Sequence, residues 1–579
     1  MCIPTLKKCS ARPAVLAIVL AATSLMAASS AQAQTPPVGA GDALRQSEQT
    51  RRAAPQARPA MGPVLPRLTE PQLRLKDKET LFVRSFRLEG AELIDEAQAR
   101  ALLAPYEGRK LTIAQIHEAA DQITALYRNR GYLVAKAYIP AQDARRGVLL
   151  LKIVPGRYGK IEARNESLVR QSVVDGFVDR ALHGESTIHK DALERAMLLI
   201  SDLPGAGVPR ITVEPGRQPM TSDFAFAVPQ VRRLDGYLLG DNYGSPLTGR
   251  NRLSGGVNWN SPLGIGDRLS AFGIVTKDAN LLNGRAAYSL PIGYSGLRAE
   301  VAAFRTTYVL GGIYKALEST GTADGLTASL TYPLRRLRDD SIYLSGTYTH
   351  KALEDRLLGI SFSERRIDSG TAAITRDTVS ALFGLPLTTS ATLAFTAGDL
   401  EFPDPLQRAI NIAGPNTIGG FAKLALSLNA TFAFNEKLSL SVNFRGQKSF
   451  SGNLDSSEQM GLTGYWGVRS YDEGLAGDSG YLVTPELKFA LPDIQRYRHA
   501  FGLFADVGAV RLEDPSYTVT QNARTQLSAI GAGYYATYEV LPGQVLLIKA
   551  QVAHTVGSDQ GAQSYNRSTK ALLQAGFTF

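Results

Sequence analysis

From about residue 231 to the C terminus, apolar and polar positions alternate with a period of two, broken by polar and Gly-rich loops. The clearest stretch sets Leu424, Leu426, Leu428, Ala430, Phe432 and Phe434 against Lys423, Ala425, Ser427, Asn429, Thr431 and Ala433. A short turn at Asn435-Glu436-Lys437 follows. Leu438, Leu440, Val442 and Phe444 then alternate with Ser439, Ser441, Asn443 and Arg445. Two such segments predict an antiparallel hairpin with one oily and one polar face. A soluble β-sandwich also alternates. A membrane barrel is favoured because the segments run to around 10 residues, enough for a tilted strand to cross a bilayer. Their polar faces carry Asn, Ser, Thr and Lys rather than solid charge. The chain closes on Leu573-Gln-Ala-Gly-Phe-Thr-Phe579. A terminal strand in lipid must pair with the first strand, since an open edge finds no hydrogen-bond partner there. At about 20–24 residues per strand and turn, the section holds about 16 strands.

The preceding pattern is different. Residues 81–155 predict one α+β unit: a strand at Phe82–Leu88, a helix at Glu92–Leu103, and a second helix beginning after Thr112. In that helix Ile113, Ile116, Ala120, Ile123 and Leu126 recur at helical spacing up to Gly131. Strands at Tyr132–Ile139 and Val148–Val154 complete it. Residues 156–230 repeat the order, with a strand at Tyr158–Ala163, helices at Ser167–Leu182 and Lys190–Ile200, and strands at Arg210–Glu214 and Phe224–Val228. Before both units, Asp42 to Ala54 is polar and compatible with a helix, or with disorder. Pro55, Pro59, Pro63 and Pro66 then predict an extended tether. At the N terminus, Lys7, Lys8 and Arg12 precede a small, apolar run and Ala31-Gln32-Ala33. This predicts a signal peptide over 1–33 rather than an anchor.

Composition sharpens this division. Cys2 and Cys9 both precede the expected cut, so the exported chain is expected to form no disulfide. The formal charge of +10 falls to +7 once the three basic signal residues are removed, which does not suggest nucleic acid. The six histidines are scattered, and neither a Walker motif nor a GxSxG elbow is present. No enzyme, metal, cofactor or nucleotide is therefore expected. The informative stretch is 467–480, with Arg469, Asp472, Glu473 and Asp478 among glycines. A strand containing Phe504-Ala-Asp506-Val-Gly508 follows; Phe504, Asp506 and Gly508 share one face. A carboxylate facing the lumen needs water or a cation, and Arg469 on a loop folded back inside is the candidate partner. Scattered charges on a surface loop are the plainer reading.

Several stretches resemble the outer-membrane transporters of two-partner secretion, within the Omp85-like superfamily. Gly131-Tyr-Leu-Val-Ala-Lys-Ala-Tyr-Ile-Pro-Ala-Gln-Asp143 resembles a signature of the family's first POTRA domain, and Leu203-Pro-Gly205 a turn of the second. Asp241-Asn-Tyr-Gly244, Thr248-Gly-Arg250 and Ser261-Pro-Leu-Gly-Ile-Gly-Asp267 resemble the start of the barrel. Val468-Arg-Ser-Tyr471 with Gly477-Asp478 resembles the returning loop, and Phe504 to Gly508 its partner strand. Ser470 stands where the family usually has glycine; the departure matters if that position needs a positive φ.

The resemblance implies a signal peptide over 1–33, a segment with a plug helix over 34–58, a linker over 59–80, POTRA-like domains at 81–155 and 156–230, and a 16-stranded antiparallel transmembrane β-barrel over 231–579. It implies a translocator that recognises an unfolded exoprotein, of adhesin or haemolysin type with an N-terminal secretion domain, in the periplasm. An Omp85-like insertion or assembly factor is the alternative. Arg469, Asp506, Tyr471, Phe504 and Gly508 would lock the loop to the barrel, with Val468, Ser470, Gly477 and Asp478 shaping it. Ile116, Ile123, Tyr127, Tyr132 and Val134 are candidates for substrate recognition, each also readable as core. The expected partners are the exoprotein and outer-membrane lipid, with the transporter itself a monomer.

Overall fold

The computed structural model describes residues 39–52, 55, 80–144, 146–182, 187–517, 524–557 and 569–579. The predicted signal segment with both cysteines, and most of the proline tether, lie outside these residues. The first described element is helix α1 (Ala40–Arg52).

The first small unit contains β1 (Thr80–Val83), β2 (Ser85–Glu89), α2 (Glu96–Leu103), β3 (Arg109–Thr112), α3 (Ile113–Asn129), β4 (Lys136–Tyr138) and β5 (Val148–Val154). Asp95 caps α2 by accepting from Ala97 N. Thr112 and Gln115 form a reciprocal capping box on α3, which satisfies two otherwise unpaired amides at the helix start. Ile116, Ala119, Ala120, Ile123 and Tyr127 form the buried stripe of α3. It packs on a sheet of order β2-β5-β4, where β2 and β5 are parallel and β4 antiparallel.

Three expectations change here. The strand expected over Phe82–Leu88 is two strands, and β1 turns away to pair with β3, a four-residue strand too short to show alternation. The helix expected from Glu92 begins at Glu96, where Asp95 supplies the cap. The strand expected from Tyr132 begins only at Lys136, because residues 132–135 turn to meet the second unit.

That second unit comprises β6 (Arg157–Asn165), α4 (Gln171–Leu182), α5 (Lys190–Ser201), β7 (Arg210–Pro215) and β8 (Thr221–Val228). Its sheet order is β6-β8-β7. Phe177, Leu193, Met197, Phe224 and Phe226 lie in its core. The Gly131–Val134 stretch docks the two units. Gly131 O accepts from Lys190 N at 2.8 Å, Tyr132 meets the His189 ring edge-on at 5.2 Å, and Leu133 and Val134 pack on the core of the second unit.

Sixteen strands close the barrel. They are β9 (Leu234–Asp241), β10 (Arg252–Asn260), β11 (Arg268–Thr276), β12 (Leu281–Pro291), β13 (Arg298–Val309), β14 (Thr320–Arg336), β15 (Asp340–Leu357), β16 (Ile360–Leu382), β17 (Leu385–Glu401), β18 (Gly419–Ala433) and β19 (Leu438–Ser449). A two-residue pair, β20 (Met460–Gly461) with β21 (Ala476–Gly477), sits inside the long loop that follows. The wall resumes with β22 (Ser479–Ala490), β23 (Tyr497–Arg511), β24 (Arg524–Leu541), β25 (Gln544–Thr555) and β26 (Thr569–Thr578).

Neighbours pair antiparallel throughout, and β26 returns to β9 through Gln574↔Asp241 to Thr578↔Tyr237. The terminal residue extends this seam: Phe579 and Gly236 exchange backbone bonds at 2.9 and 3.0 Å. The hairpin read from residues 424–444 is β18–β19, with Asn429 opposite Asn443. The wall is uneven. Strands β14 to β17 run to 17, 18, 23 and 17 residues, whereas β9 to β11 have 8, 9 and 9.

The second unit sits against one sector of the short-turn end. Arg336, at the end of β14, holds Asp202 with two bonds of 2.7 Å. Glu194 accepts from Arg338 N, and Arg170 N donates to Gly264 O. Leu203 and Gly205 press on the turn at 261–267: a Cβ on Gly266 would come within 2.8 Å of Leu203, and one on Gly205 within 2.9 Å of Ser261. Two stretches singled out separately in the sequence thus meet.

Candidate functional site

Two bodies occupy the lumen: the loop over residues 450–478 and helix α1. The loop folds inward from the end of the barrel opposite the small domains. Its glycines permit close approach; Gly467, for example, leaves no room for a Cβ against Leu462 O. Leu462, Val468, Tyr471 and Leu475 form a buried cluster with Leu482, Val510, Leu527 and Ala529 of the wall.

At its tip Arg469 meets Asp506 of β23 in three bonds. The backbone N donates at 3.1 Å, Nε at 2.9 Å and Nη2 at 2.7 Å. Thr484 donates a fourth bond to the same carboxylate at 3.2 Å. The guanidinium also lies 3.4 Å from the centre of the Phe504 ring, a cation–π contact in a site closed to water. Asp506 is 0% exposed. A buried carboxylate is costly unless every lone pair is occupied, and here the arginine fork meets both oxygens. Gly508 supplies clearance: a Cβ there would stand 2.7 Å from Leu462 and 2.8 Å from Tyr481 O.

The remaining loop residues fasten its flanks. Asp472 receives the Arg250 fork at 2.9 and 2.8 Å, and Lys570 lies 3.2 Å from it. Asp478 accepts from Leu454 N, Gln459 Nε2 and Glu513 N, all at 2.9 Å, tying both ends of the loop to each other and to the segment just past β23. Gly477 is pressed against Arg511 O, 2.8 Å from a would-be Cβ. Tyr465 stacks on Tyr243 with the rings 3.5 Å apart and nearly parallel. Ser470 is buried, does not have a positive φ, and accepts a bond from Thr555 at 3.0 Å. The position therefore requires a small residue rather than a left-handed one.

Helix α1 lies across the lumen. Its small residues make this possible: Ala40, Gly41, Ala43 and Ser47 are buried, and a Cβ on Gly41 would strike Ser456 and Ser457. Ala40, Ala43 and Leu44 join an apolar cluster with Phe304, Tyr308, Leu353 and Ile367 of the wall. Ala40 N donates to Asp355 Oδ1 at 2.7 Å, Arg45 donates to Ser456 O, and Arg252 donates to Thr50 Oγ1 at 3.3 Å. Within the helix, Asp42 is met by Arg45 and Glu48 by Arg51.

A charged cluster under this helix was not anticipated. Arg365 bridges Asp355 at 2.7 Å and Asp455 at 2.6 Å; Glu458 takes both Lys351 and Lys423. Asp355 thus holds the helix start and, through Arg365, the beginning of the returning loop. The available signal was charge on lumen-facing positions of consecutive strands.

The recognition candidates part company. Ile123 and Tyr127 are 0% exposed and Ile116 is also buried, so α3 turns all three into the domain core. Tyr132 and Val134 lie at the junction with the second unit. The structure does not bring the five together as one open groove. Among the described residues, no group of three His, Cys, Asp or Glu side chains is placed to hold a metal.

A closed 16-stranded barrel behind small mixed α+β domains defines an outer-membrane transporter of the Omp85 superfamily. The model of the haemolysin secretion/activation protein ShlB/FhaC/HecB matches residues 221–535, and that of the POTRA domain, ShlB-type, matches 81–156. The chain belongs to this haemolysin secretion/activation family. The heme/hemopexin transporter protein HuxB of Haemophilus influenzae is 29% identical over 442 residues, 75% of this chain and 76% of that protein. The outer membrane transporter CdiB of Escherichia coli is 24% identical over 416 residues, 71% of this chain and 69% of that one. Solved structures of CdiB share the fold. That from Escherichia coli aligns with a TM-score of 0.70 at 20% identity, covering 95% of this chain and 100% of the other. That from Acinetobacter baumannii gives 0.61 at 15% identity, covering 94% and 100%. The barrel lies in the outer membrane and the N-terminal domains in the periplasm, so the short turns face inward and the long loops outward.

Proposed function

We propose that this transporter takes up an unfolded exoprotein in the periplasm and passes it through the barrel lumen to the cell surface. The partner is a long adhesin- or haemolysin-type chain with an N-terminal secretion domain. Support comes from the family, whose description is secretion, and from one observation above all. Helix α1 lies in the lumen, and among the described residues it is held to the wall and loop by three hydrogen bonds and an apolar cluster to which it gives Ala40, Ala43 and Leu44. A segment seated this lightly can leave, whereas the loop is fastened at tip and flanks.

In this reading α1 is a plug, and the Arg469–Asp506 pair keeps the loop against the wall while a chain passes. An extended segment of the exoprotein is received at an open edge of the β2-β5-β4 sheet, by strand addition. No nucleotide is consumed; folding outside the cell biases the motion outward.

The test is conductance in a planar bilayer, for the exported chain and for a form lacking residues 34–58. A small, fluctuating current that becomes large and steady on truncation supports the plugged conduit. No current from either, with both correctly inserted, would sink it and favour an assembly factor. A large current from the untruncated chain would reduce α1 to part of a tether.

A further inference from the structure

The outer end of β16 stands apart from lipid. Outward-facing positions on this part of the wall become polar at Tyr348, His350 and Asp368, where Tyr348 and His350 both bond Asp368 Oδ1 at 2.5 and 2.9 Å. Above them Arg366 and Glu364 face each other at 3.8 Å. A tyrosine joining such a charged band marks the membrane boundary of a barrel. Eight residues separate Asp368 from Ile360, so the tip of β16 stands about 20 Å beyond that boundary for a strand tilted by about 40°.

Here the sheet has an open side. Strand β17 ends at Glu401, opposite Arg366, so among the described residues no strand flanks positions 360–365 of β16 on that side. Helix α6 (Pro405–Ala413), started by the Asp404 cap, lies over it instead. Gln407 Oε1 accepts from Glu364 N at 2.6 Å, and its Nε2 donates to Ser361 O at 3.3 Å. One side-chain amide thereby reproduces the donor and acceptor of a neighbouring strand.

The helix is mounted the wrong way round for a water-facing element. It holds the wall through the amide of Gln407, and Asn411 fastens the loop behind it at Thr417, while Leu406, Ile410 and Ile412 are 55%, 56% and 54% exposed. Leu358, Ile360 and Phe362 of the adjoining hairpin are exposed as well. An apolar surface beside an unpaired strand edge, too far out for lipid, fits an extended polypeptide with alternating apolar side chains. Backbone bonds would take the edge and every second side chain the apolar face.

We propose that this outer lip binds an extended segment of the emerging exoprotein by strand addition to β16, with Gln407 holding the edge until it arrives. The origin of that segment rests on the secretion reading; the binding chemistry does not. The probe is a labelled ten-residue peptide of alternating Thr and Val flanked by lysines, with the full chain in lipid nanodiscs and binding read by fluorescence anisotropy. Gln407→Ala is expected to tighten binding about tenfold by removing the competitor. Glu364→Pro, whose lost N–H points away from β15, is expected to abolish it. Ile410→Ser is expected to weaken it severalfold and guards against misfolding of the proline variant. Absent binding, or binding indifferent to both Glu364→Pro and Ile410→Ser, overturns the proposal. So does self-association of Gln407→Ala seen by light scattering, which would assign the edge to a second copy. Failed peptide binding with the truncation conductance intact sinks the lip alone. Peptide binding without that conductance leaves a strand-binding edge and removes the export reading.

Discussion

The returning loop and helix α1 fill the same lumen by opposite means. The loop is covalently held at both ends, and several of its buried charges meet partners outside it: Arg469 with Asp506, Asp472 with Arg250 and Lys570, Glu458 with Lys351 and Lys423. The helix pairs its acids with its own arginines and asks little of its surroundings. A buried group with an external partner is costly to withdraw; one that carries its partner with it is not. Burial alone therefore does not tell which of the two is held harder. The ownership of the counter-charge does.

The largest test of this contrast is Asp506→Ala. It strands the Arg469 guanidinium in a dry site and is expected to cost about 3–5 kcal/mol locally. Limited proteolysis should then cut within residues 450–478 while the barrel still migrates as a folded band; an uncut loop would refute the lock. Arg469→Lys keeps the charge but loses the fork and much of the contact with Phe504. About 1–3 kcal/mol should be lost, with intermediate protease protection. On the helix side, Asp355→Asn weakens the seat of Ala40 and the Arg365 bridge together. An effect of about 1 kcal/mol should raise the frequency of open events about fivefold, read from single-channel records. Ser470→Gly is the smallest. Its backbone is not left-handed, so glycine relieves no strain, and loss of the Thr555 bond should shift loop protection by less than about 1 kcal/mol.

Much of this architecture was legible because the barrel writes its rule into every second residue. The 424–444 hairpin and the closing strand follow from alternation alone. So does the shared face of Phe504, Asp506 and Gly508, since parity survives any error in strand ends. The small domains were legible in order but not at their edges. Residues 132–135 have the composition of a strand, yet contacts with His189 and the second core turn them into a packed junction. The recognition candidates show another limit: helical spacing marks Ile116, Ile123 and Tyr127 as one face without saying whether that face meets its own sheet or a partner. The Asp355–Arg365–Asp455 bridge joins carboxylates one hundred positions apart, and no local pattern announces it. Helix α6 had its signal in Asp404-Pro405, a cap followed by the favoured first residue, but it is too short to rise above the strands around it.

The docking of the second periplasmic domain has a further consequence for traffic. Among the described residues, its contacts fall on the turns of β10–β11 through Leu203, of β12–β13 through Phe177 and Arg195, and of β14–β15 through Asp202 and Glu194. They sit beneath the wall where helix α1 begins, and the loop lock on β23 is five strands from β10 and six from β15 around the ring. The doorway is thus off-centre. On the export reading proposed above, a chain handed up from the periplasm would enter along the uncovered side of the rim, and helix α1 would leave along the covered side, so entry and evacuation would run in separate lanes.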